Sequence, residues 1–230
     1  MSVPQLPLAL RYPPDQRLES FVGAPAGAIE QLRALATERG DGLYLVGSAG
    51  TGKTHLCLAL AAATDQAGRR AAYVPLAAAK GRLRQALEAL DDYDVIALDG
   101  LDALAGERED QVALFDFHNR ARSGGQNVVY SGRSAPAAEA IELPDLRSRL
   151  SQCARIVLRP LDDPGRRELL RDRSQRRGLV VEDAALEWML AHVERDPATL
   201  TALLDRLDRE SLAAQRRVTV PFLRRVVEAG

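Results

Sequence analysis

The eight residues Gly47-Ser48-Ala49-Gly50-Thr51-Gly52-Lys53-Thr54 satisfy G-x-x-x-x-G-K-[ST] at every fixed position, and no other stretch constrains the fold as strongly. The run Gly42–Val46 before them reads as a short apolar strand, and His55–Ala61 after them reads as a helix. A strand, a glycine-rich turn and a helix make a phosphate-binding loop. The glycines let the backbone curl so that successive N–H groups point at phosphate oxygens, and the helix start adds its partial positive charge. Lys53 supplies a full charge for the β- and γ-phosphates, Thr54 offers a hydroxyl to Mg²⁺, and His55 opens the helix beside them. The motif predicts ATP or ADP with Mg²⁺ as the bound species.

Such a loop needs a carboxylate at the end of an apolar strand to hold the Mg²⁺ water shell. Val95-Ile96-Ala97-Leu98-Asp99 provides one, so Asp99 is the expected Mg²⁺ partner. Many ATPases follow it directly with a second carboxylate that polarises water. Here that position is Gly100, and Asp102 could substitute only if the turn presents it.

Around this site, strands at 71–76, 94–99, 127–131 and 155–158 alternate with helices at 77–90, 111–122 and about 144–150, after an opening helix from Pro25 to about Glu38. That order implies right-handed crossovers and a parallel sheet between helices, with the continuously apolar 94–99 strand central. From Asp162 onward no strand is legible. Four amphipathic helices are expected at 164–177, 182–192, 198–215 and 221–228. The first is opened by Asp162-Asp163-Pro164 and closed by Gly178. The predicted division is an extended proline-rich tail over 1–20, an α/β nucleotide-binding domain over 21–161 built on a central five-stranded parallel sheet, and a small all-helical domain over 162–230.

Charge and cysteine content narrow the function classes. With 31 basic against 32 acidic residues, the chain has no bulk charge for gripping nucleic acid alone, so any DNA contact is expected to be indirect or weak. The arginines at 166, 167, 171, 173, 176 and 177 read as solvated helix faces with partners such as Glu168 and Asp172. The two cysteines, Cys57 and Cys153, fall on apolar elements and read as reduced thiols, and no signal-like or membrane-spanning run is present. A cytoplasmic location is expected.

The order of phosphate loop, acidic strand end, polar strand end and helical lid resembles an AAA+ module, and three further stretches narrow it. These are 115–120 (FDFHNR), 143–150 (LPDLRSRL), and 204–209 (LDRLDR) followed by 214–222 (AQRRVTVPF). They resemble the family of the bacterial replication initiator DnaA and its shorter relative Hda, and the last is close to the Hda lid. The likeness runs from about Gln5 to Val227. The sequence leaves no residues after the lid for the initiator's helix-turn-helix domain, which points to the Hda branch. The tail Gln5-Leu6-Pro7-Leu8-Ala9-Leu10 is similar to the peptide by which that branch docks on the DNA polymerase sliding clamp. Gln5 would bond a pocket rim while Leu6, Leu8 and Leu10 bury apolar area; Ala9 departs from the commoner proline.

The resemblance implies a mechanism. Arg149 matches the family's arginine finger and would act in trans on ATP bound to DnaA, while Ser131 at the fourth strand's tip matches the polar sensor. Asn119 matches an interface residue. The family's lid arginine falls at Ala198, with Arg195 a turn earlier. Together with Gly100, this implies a mainly structural nucleotide, weak intrinsic ATPase activity, and stimulation of a partner's hydrolysis as the output. Self-association is also compatible with the family. The alternative is a helicase-loader-type AAA+ ATPase whose own hydrolysis is the output.

Overall fold

The computed structural model describes residues 16–136, 141–194, 196–214 and 217–228, with the side chains of 212–214 left aside. It divides into two units, Met1–Arg159 and Pro160–Gly230. The boundary falls two residues before the one expected from the change in sequence texture. The clamp-like peptide 5–10 and Arg195 lie outside the described residues.

The first unit contains α1 (Ala28–Thr37), β1 (Leu43–Val46), α2 (Lys53–Gln66), β2 (Ala71–Pro75), α3 (Leu76–Ala79), α4 (Leu83–Glu88), β3 (Val95–Asp99), α5 (Arg108–Gly124), β4 (Asn127–Gly132), α6 (Pro144–Gln152) and β5 (Ala154–Val157). The five strands form one parallel sheet in the order β2-β3-β4-β1-β5. The middle position therefore belongs to β4, whose six residues are all buried, and β3 lies one place further out, between β2 and β4. The single helix expected over 77–90 is two, because Gly81 adopts a left-handed φ of 75° between them.

Strand alternation distributes side chains to two cores. Leu43, Leu45, Val95, Ala97 and Val129 join Leu32, Leu56 and Leu60 of α1 and α2 on one face of the sheet. Tyr44, Ile96, Leu98, Val128 and Tyr130 join Leu76, Leu83, Leu114 and Phe117 on the other. Residues i and i+1 of a strand point to opposite faces, so the middles of β1, β3 and β4 must be apolar on both, which is how their sequences read, with polar residues only at the ends of β3 and β4. Asn127, fully buried at the start of β4, ties this end of the sheet to α1. Its Oδ1 accepts from Gly40 N (2.7 Å), and its Nδ2 donates to the carbonyls of Leu35 (2.7 Å) and Glu38 (2.6 Å).

The second unit is helical: α7 (Asp163–Arg176), α8 (Asp183–His192), α9 (Pro197–Ala214) and α10 (Val220–Glu228). Its helix boundaries follow the expected ones to within a residue. Asp162 caps α7 by accepting from Gly165 N at 2.8 Å. Leu170, Leu186, Met189, Leu200, Leu204, Leu207 and Leu223 form its core. One parallel bridge, Val181 to Val218, was not foreseen. It is too short to carry a strand signature in sequence. Two basic residues of α7 lie on exposed faces as expected, Arg176 paired with Asp172 at i,i+4 (2.7 Å) and Arg171 with Asp183 (2.8 Å), whereas Arg167 is half-buried against Glu187 of α8 (2.6 Å) and the Arg166 side chain is mostly buried.

Candidate functional site: a phosphate loop and its acidic strand end

The C-terminal ends of β1, β3 and β4 bring the predicted nucleotide residues together. The loop leaves β1 at Gly47, whose N–H donates to Gly132 O at 3.2 Å and so fastens it to the tip of β4. A Cβ at Gly47 would lie 2.6 Å from Thr51 Oγ1 and 2.7 Å from Leu158 O, so only glycine fits there. Gly52 has φ of 90°, and a Cβ on it would lie 2.5 Å from the Phe21 ring. Thr51 is buried and closes the loop by donating to Ser48 O at 2.9 Å. Ala49 and Gly50 form the exposed crest, with Gly50 left-handed at φ 75°.

Lys53 and Thr54 open α2. Lys53 Nζ donates to the carbonyls of Gly47 (2.6 Å) and Ser48 (2.8 Å), which lays the ammonium across the mouth of the loop. Its pKa is lowered, chiefly by burial and further by the Arg133 charge, against the opposing pull of Asp99 and Asp102. A phosphate would offer this ammonium a full charge in place of two carbonyl dipoles.

Asp99 ends β3 and is bonded on both oxygens. Its Oδ2 accepts from Thr54 Oγ1 (2.7 Å) and from Tyr73 Oη (2.9 Å), while its Oδ1 accepts a short bond from Ser131 Oγ. Ser131 Oγ in turn accepts from Gly100 N at 2.9 Å. Of the residues expected to form one site, Thr54, Asp99 and Ser131 share one hydrogen-bond network, and Lys53 stands within reach of the Asp99 charge. Burial, with the Asp99 charge and hydrogen bond adding to it, pushes the Tyr73 phenol well above its usual range, so it remains a donor.

The donor set fits a magnesium nucleotide. One hydroxyl and one carboxylate are hard oxygen ligands, and among the described residues no cluster of three or more His, Cys, Asp or Glu side chains forms a protein-only cage. Mg²⁺ characteristically takes one or two such ligands and completes its shell with phosphates and water. Thr54 and Asp99 would hold the ion and its waters, and the loop N–H groups and Lys53 the phosphates.

Three contacts here were not anticipated. Tyr73 comes from β2, a neighbour that a single sequence does not reveal. Asp102, in the turn Leu101–Leu104, pairs with Arg133 at 3.2 Å, which engages the carboxylate considered as a substitute for one at position 100. His55 donates from Nε2 to Arg17 O at 3.0 Å and meets the Phe21 ring edge-on with centroids 5.5 Å apart. This joins residues 17–21 to the start of α2, beside the loop.

Arg149 lies elsewhere, at the opposite end of the same sheet. It is half-buried in the last turn of α6 and lines a cavity of about 320 Å³ with His118, Arg122, Gln152 and Cys153. His118 Nδ1 and Tyr130 Oη share a bond of 2.8 Å there. The Cys153 thiol is raised to about 11, mainly by burial, and stays protonated. Asn119, one helix position from His118, is half-buried. Among the described residues neither Arg149 nor Arg122 makes an ion pair. Ala198 falls in the first turn of α9 and brings no charge.

Comparison with known proteins agrees with this geometry. Residues 11–133 match the family model of the IstB-like ATP binding protein, and residues 163–227 match that of the Hda lid domain. The chain belongs to the Hda- and DnaA-related AAA+ proteins. A Haemophilus influenzae relative, described only as an uncharacterized protein, is 32% identical over 226 residues, covering 97% of this chain and 98% of that protein. Domain III of the Thermotoga maritima replication initiation protein DnaA superposes with a TM-score of 0.80 at 20% identity, covering 96% of this chain and 98% of that one. AMPPCP-bound DnaA from Aquifex aeolicus gives 0.70 at 19% identity, over 85% of this chain and 66% of that one. A Thermotoga maritima RuvB structure gives 0.66 at 19% identity, over 95% and 72%. At these identities the structures establish the fold, a five-stranded AAA+ sheet with a helical lid.

Proposed function

We propose that this chain is a nucleotide-bound regulator which, together with the DNA-loaded sliding clamp, promotes hydrolysis of ATP held by the initiator DnaA and so restrains replication initiation. The observation that carries this reading is the Hda-type lid at 163–227 on a DnaA-like fold. The chain's own site binds ADP or ATP through residues 47–55. Thr54 and Asp99 would hold Mg²⁺, which would supply charge neutralisation at the phosphates. Gly100, left-handed at φ 89°, carries no carboxylate to polarise water, which supports slow turnover at this site.

The catalytic contribution is made outward. Arg149 donates to the γ-phosphate region of ATP on the neighbouring initiator, where charge builds in the transition state. Its lack of a carboxylate partner among the described residues leaves the guanidinium uncommitted. Gln5, Leu6, Leu8 and Leu10 dock on the clamp, which concentrates the chain at replicated DNA in the cytoplasm. The direct test is phosphate release from ATP-loaded DnaA with clamp on DNA. This chain should accelerate it, and the acceleration should vanish in Gln5→Ala/Leu6→Ala. Unchanged release with the wild-type chain would sink the reading.

The IstB-like match favours a second reading, an ATPase whose own hydrolysis is the output. It predicts turnover by the purified chain with no initiator present.

A further inference from the structure

We propose that Tyr73 is a positioning residue of the nucleotide site: its phenol fixes the Asp99 carboxylate in the orientation that receives the Mg²⁺ water shell. This rests on the reading of Asp99 as the carboxylate of a magnesium nucleotide site.

Asp99 stands at the end of β3, and the softer of its two side-chain torsions is the one about Cβ–Cγ that turns the carboxylate. Two of its donors come from the strands on either side: Tyr73 from β2 bonds Oδ2 at 2.9 Å, and Ser131 from β4 bonds Oδ1. One donor on each oxygen, from opposite flanks, closes rotation about that torsion. The third donor, Thr54, is in a different position. Its hydroxyl sits 2.7 Å from Oδ2 at the start of α2, and it is also the group whose oxygen the metal takes. A site that relied on Thr54 to orient Asp99 would ask one hydroxyl to serve both the ion and the carboxylate. Tyr73 separates the two duties.

The sheet register explains why a tyrosine is needed. Tyr73 lies opposite Ala97, and Pro75 lies opposite Asp99. Tyr73 must therefore reach along the strand by two residues, about 6.6 Å, to meet the carboxylate. Serine or threonine at this position falls short, and phenylalanine reaches but cannot donate. Tyr73 is also only half-buried, and its ring packs beside the cluster of α2 and β3. Replacing the phenol by a phenyl ring therefore removes the hydrogen bond while keeping the packing.

The experiment compares the full-length chain with Tyr73→Phe, measuring ADP affinity in EDTA and across a Mg²⁺ titration, alongside thermal melting without nucleotide. The wild-type chain should gain ADP affinity as Mg²⁺ is added. Tyr73→Phe should lose about 3- to 10-fold of that gain, keep its EDTA affinity within about twofold, and melt near the wild-type temperature. Asp99→Asn should abolish the gain, and adding Tyr73→Phe to it should change nothing further. A full Mg²⁺-dependent gain in Tyr73→Phe would overturn the inference alone, as would an equal loss in EDTA. A wild-type chain with no Mg²⁺-dependent gain would overturn the metal assignment of Asp99 as well.

Discussion

The two ends of the sheet are built on opposite principles. At the C-terminal ends of the strands the charged side chains of the site are already engaged. Asp99 accepts from Thr54, Tyr73 and Ser131, Lys53 rests on the Gly47 and Ser48 carbonyls, and Asp102 pairs with Arg133. A ligand entering there exchanges existing partners for better ones, and the protein's groups move little. At the N-terminal ends, α5 and α6 finish beside a cavity with Arg122 and Arg149 in their last turns, and among the described residues neither has an acidic partner. The helix C-termini stabilise those guanidiniums and also repel an approaching anion. Weak anions gain little at such a surface, whereas the concentrated charge of a triphosphate can outweigh the carbonyl ends. One end presents a ready-made phosphate cradle, and the other presents two guanidiniums with no ion-pair partner among the described residues.

The largest effect that tests this contrast is at Arg149. Arg149→Ala should cost about 10³-fold in the stimulated component of partner ATP hydrolysis, the lower figure for a trans arginine, while ADP affinity of the variant chain stays within twofold. An equal loss of ADP affinity would mean the two ends are not separate sites. Next comes Asn127, the closed polar cluster at the otherwise open end. Asn127→Ala removes all three hydrogen bonds of a fully buried side chain and leaves the N–H of the exposed Gly40 to water, whereas Arg69 still donates to the Leu35 and Glu38 carbonyls. The expected loss is about 2–3 kcal/mol, read as a drop of roughly 5–10 °C in melting temperature. A negligible shift would show that this end is loose throughout.

Much of the C-terminal end was legible because its function needs local sequence. Residues 47–54 are contiguous, and an apolar strand ending in Asp99 announces itself. Ser131 joined them only through a family likeness, and the structure brings its hydroxyl to Asp99. Tyr73 was out of reach, since its role depends on β2 lying next to β3, and nothing local encodes strand order. The same gap misplaced the sheet's centre at β3: strands buried on both faces look alike wherever they sit in a parallel sheet. The break at Gly81 was missed because alanine and leucine continue helical periodicity on both sides of it. Arg149 was singled out only by resemblance, and its cavity with Arg122 and His118 is a tertiary fact that no spacing records.

A smaller change is expected from Lys53. Lys53→Ala removes one charge-assisted interaction with phosphate, about 1.5–3 kcal/mol, so ADP affinity by calorimetry should fall roughly 10- to 100-fold. Because Lys53 bonds only loop carbonyls in the free protein, the variant should melt within about 2 °C of wild type. A much larger drop in melting would make Lys53 a structural member of the loop.

The smallest effect probes the open end through its own titration. His118 has its pKa lowered from 6.5, first by burial and then by the charges of Arg149 and Arg122. A depressed folded-state value means the unfolded chain binds the proton more readily. The stabilising contribution is therefore complete above about pH 6.5 and is lost as pH falls through the folded value. His118→Phe should flatten that part of the stability–pH curve. Arg149→Gln removes one of the two cationic neighbours, so the His118 proton resonance should titrate at higher pH than in wild type. If its midpoint does not move, the Arg149 guanidinium is not beside His118 in the free protein, and the picture of two cations waiting in one cavity has to be given up.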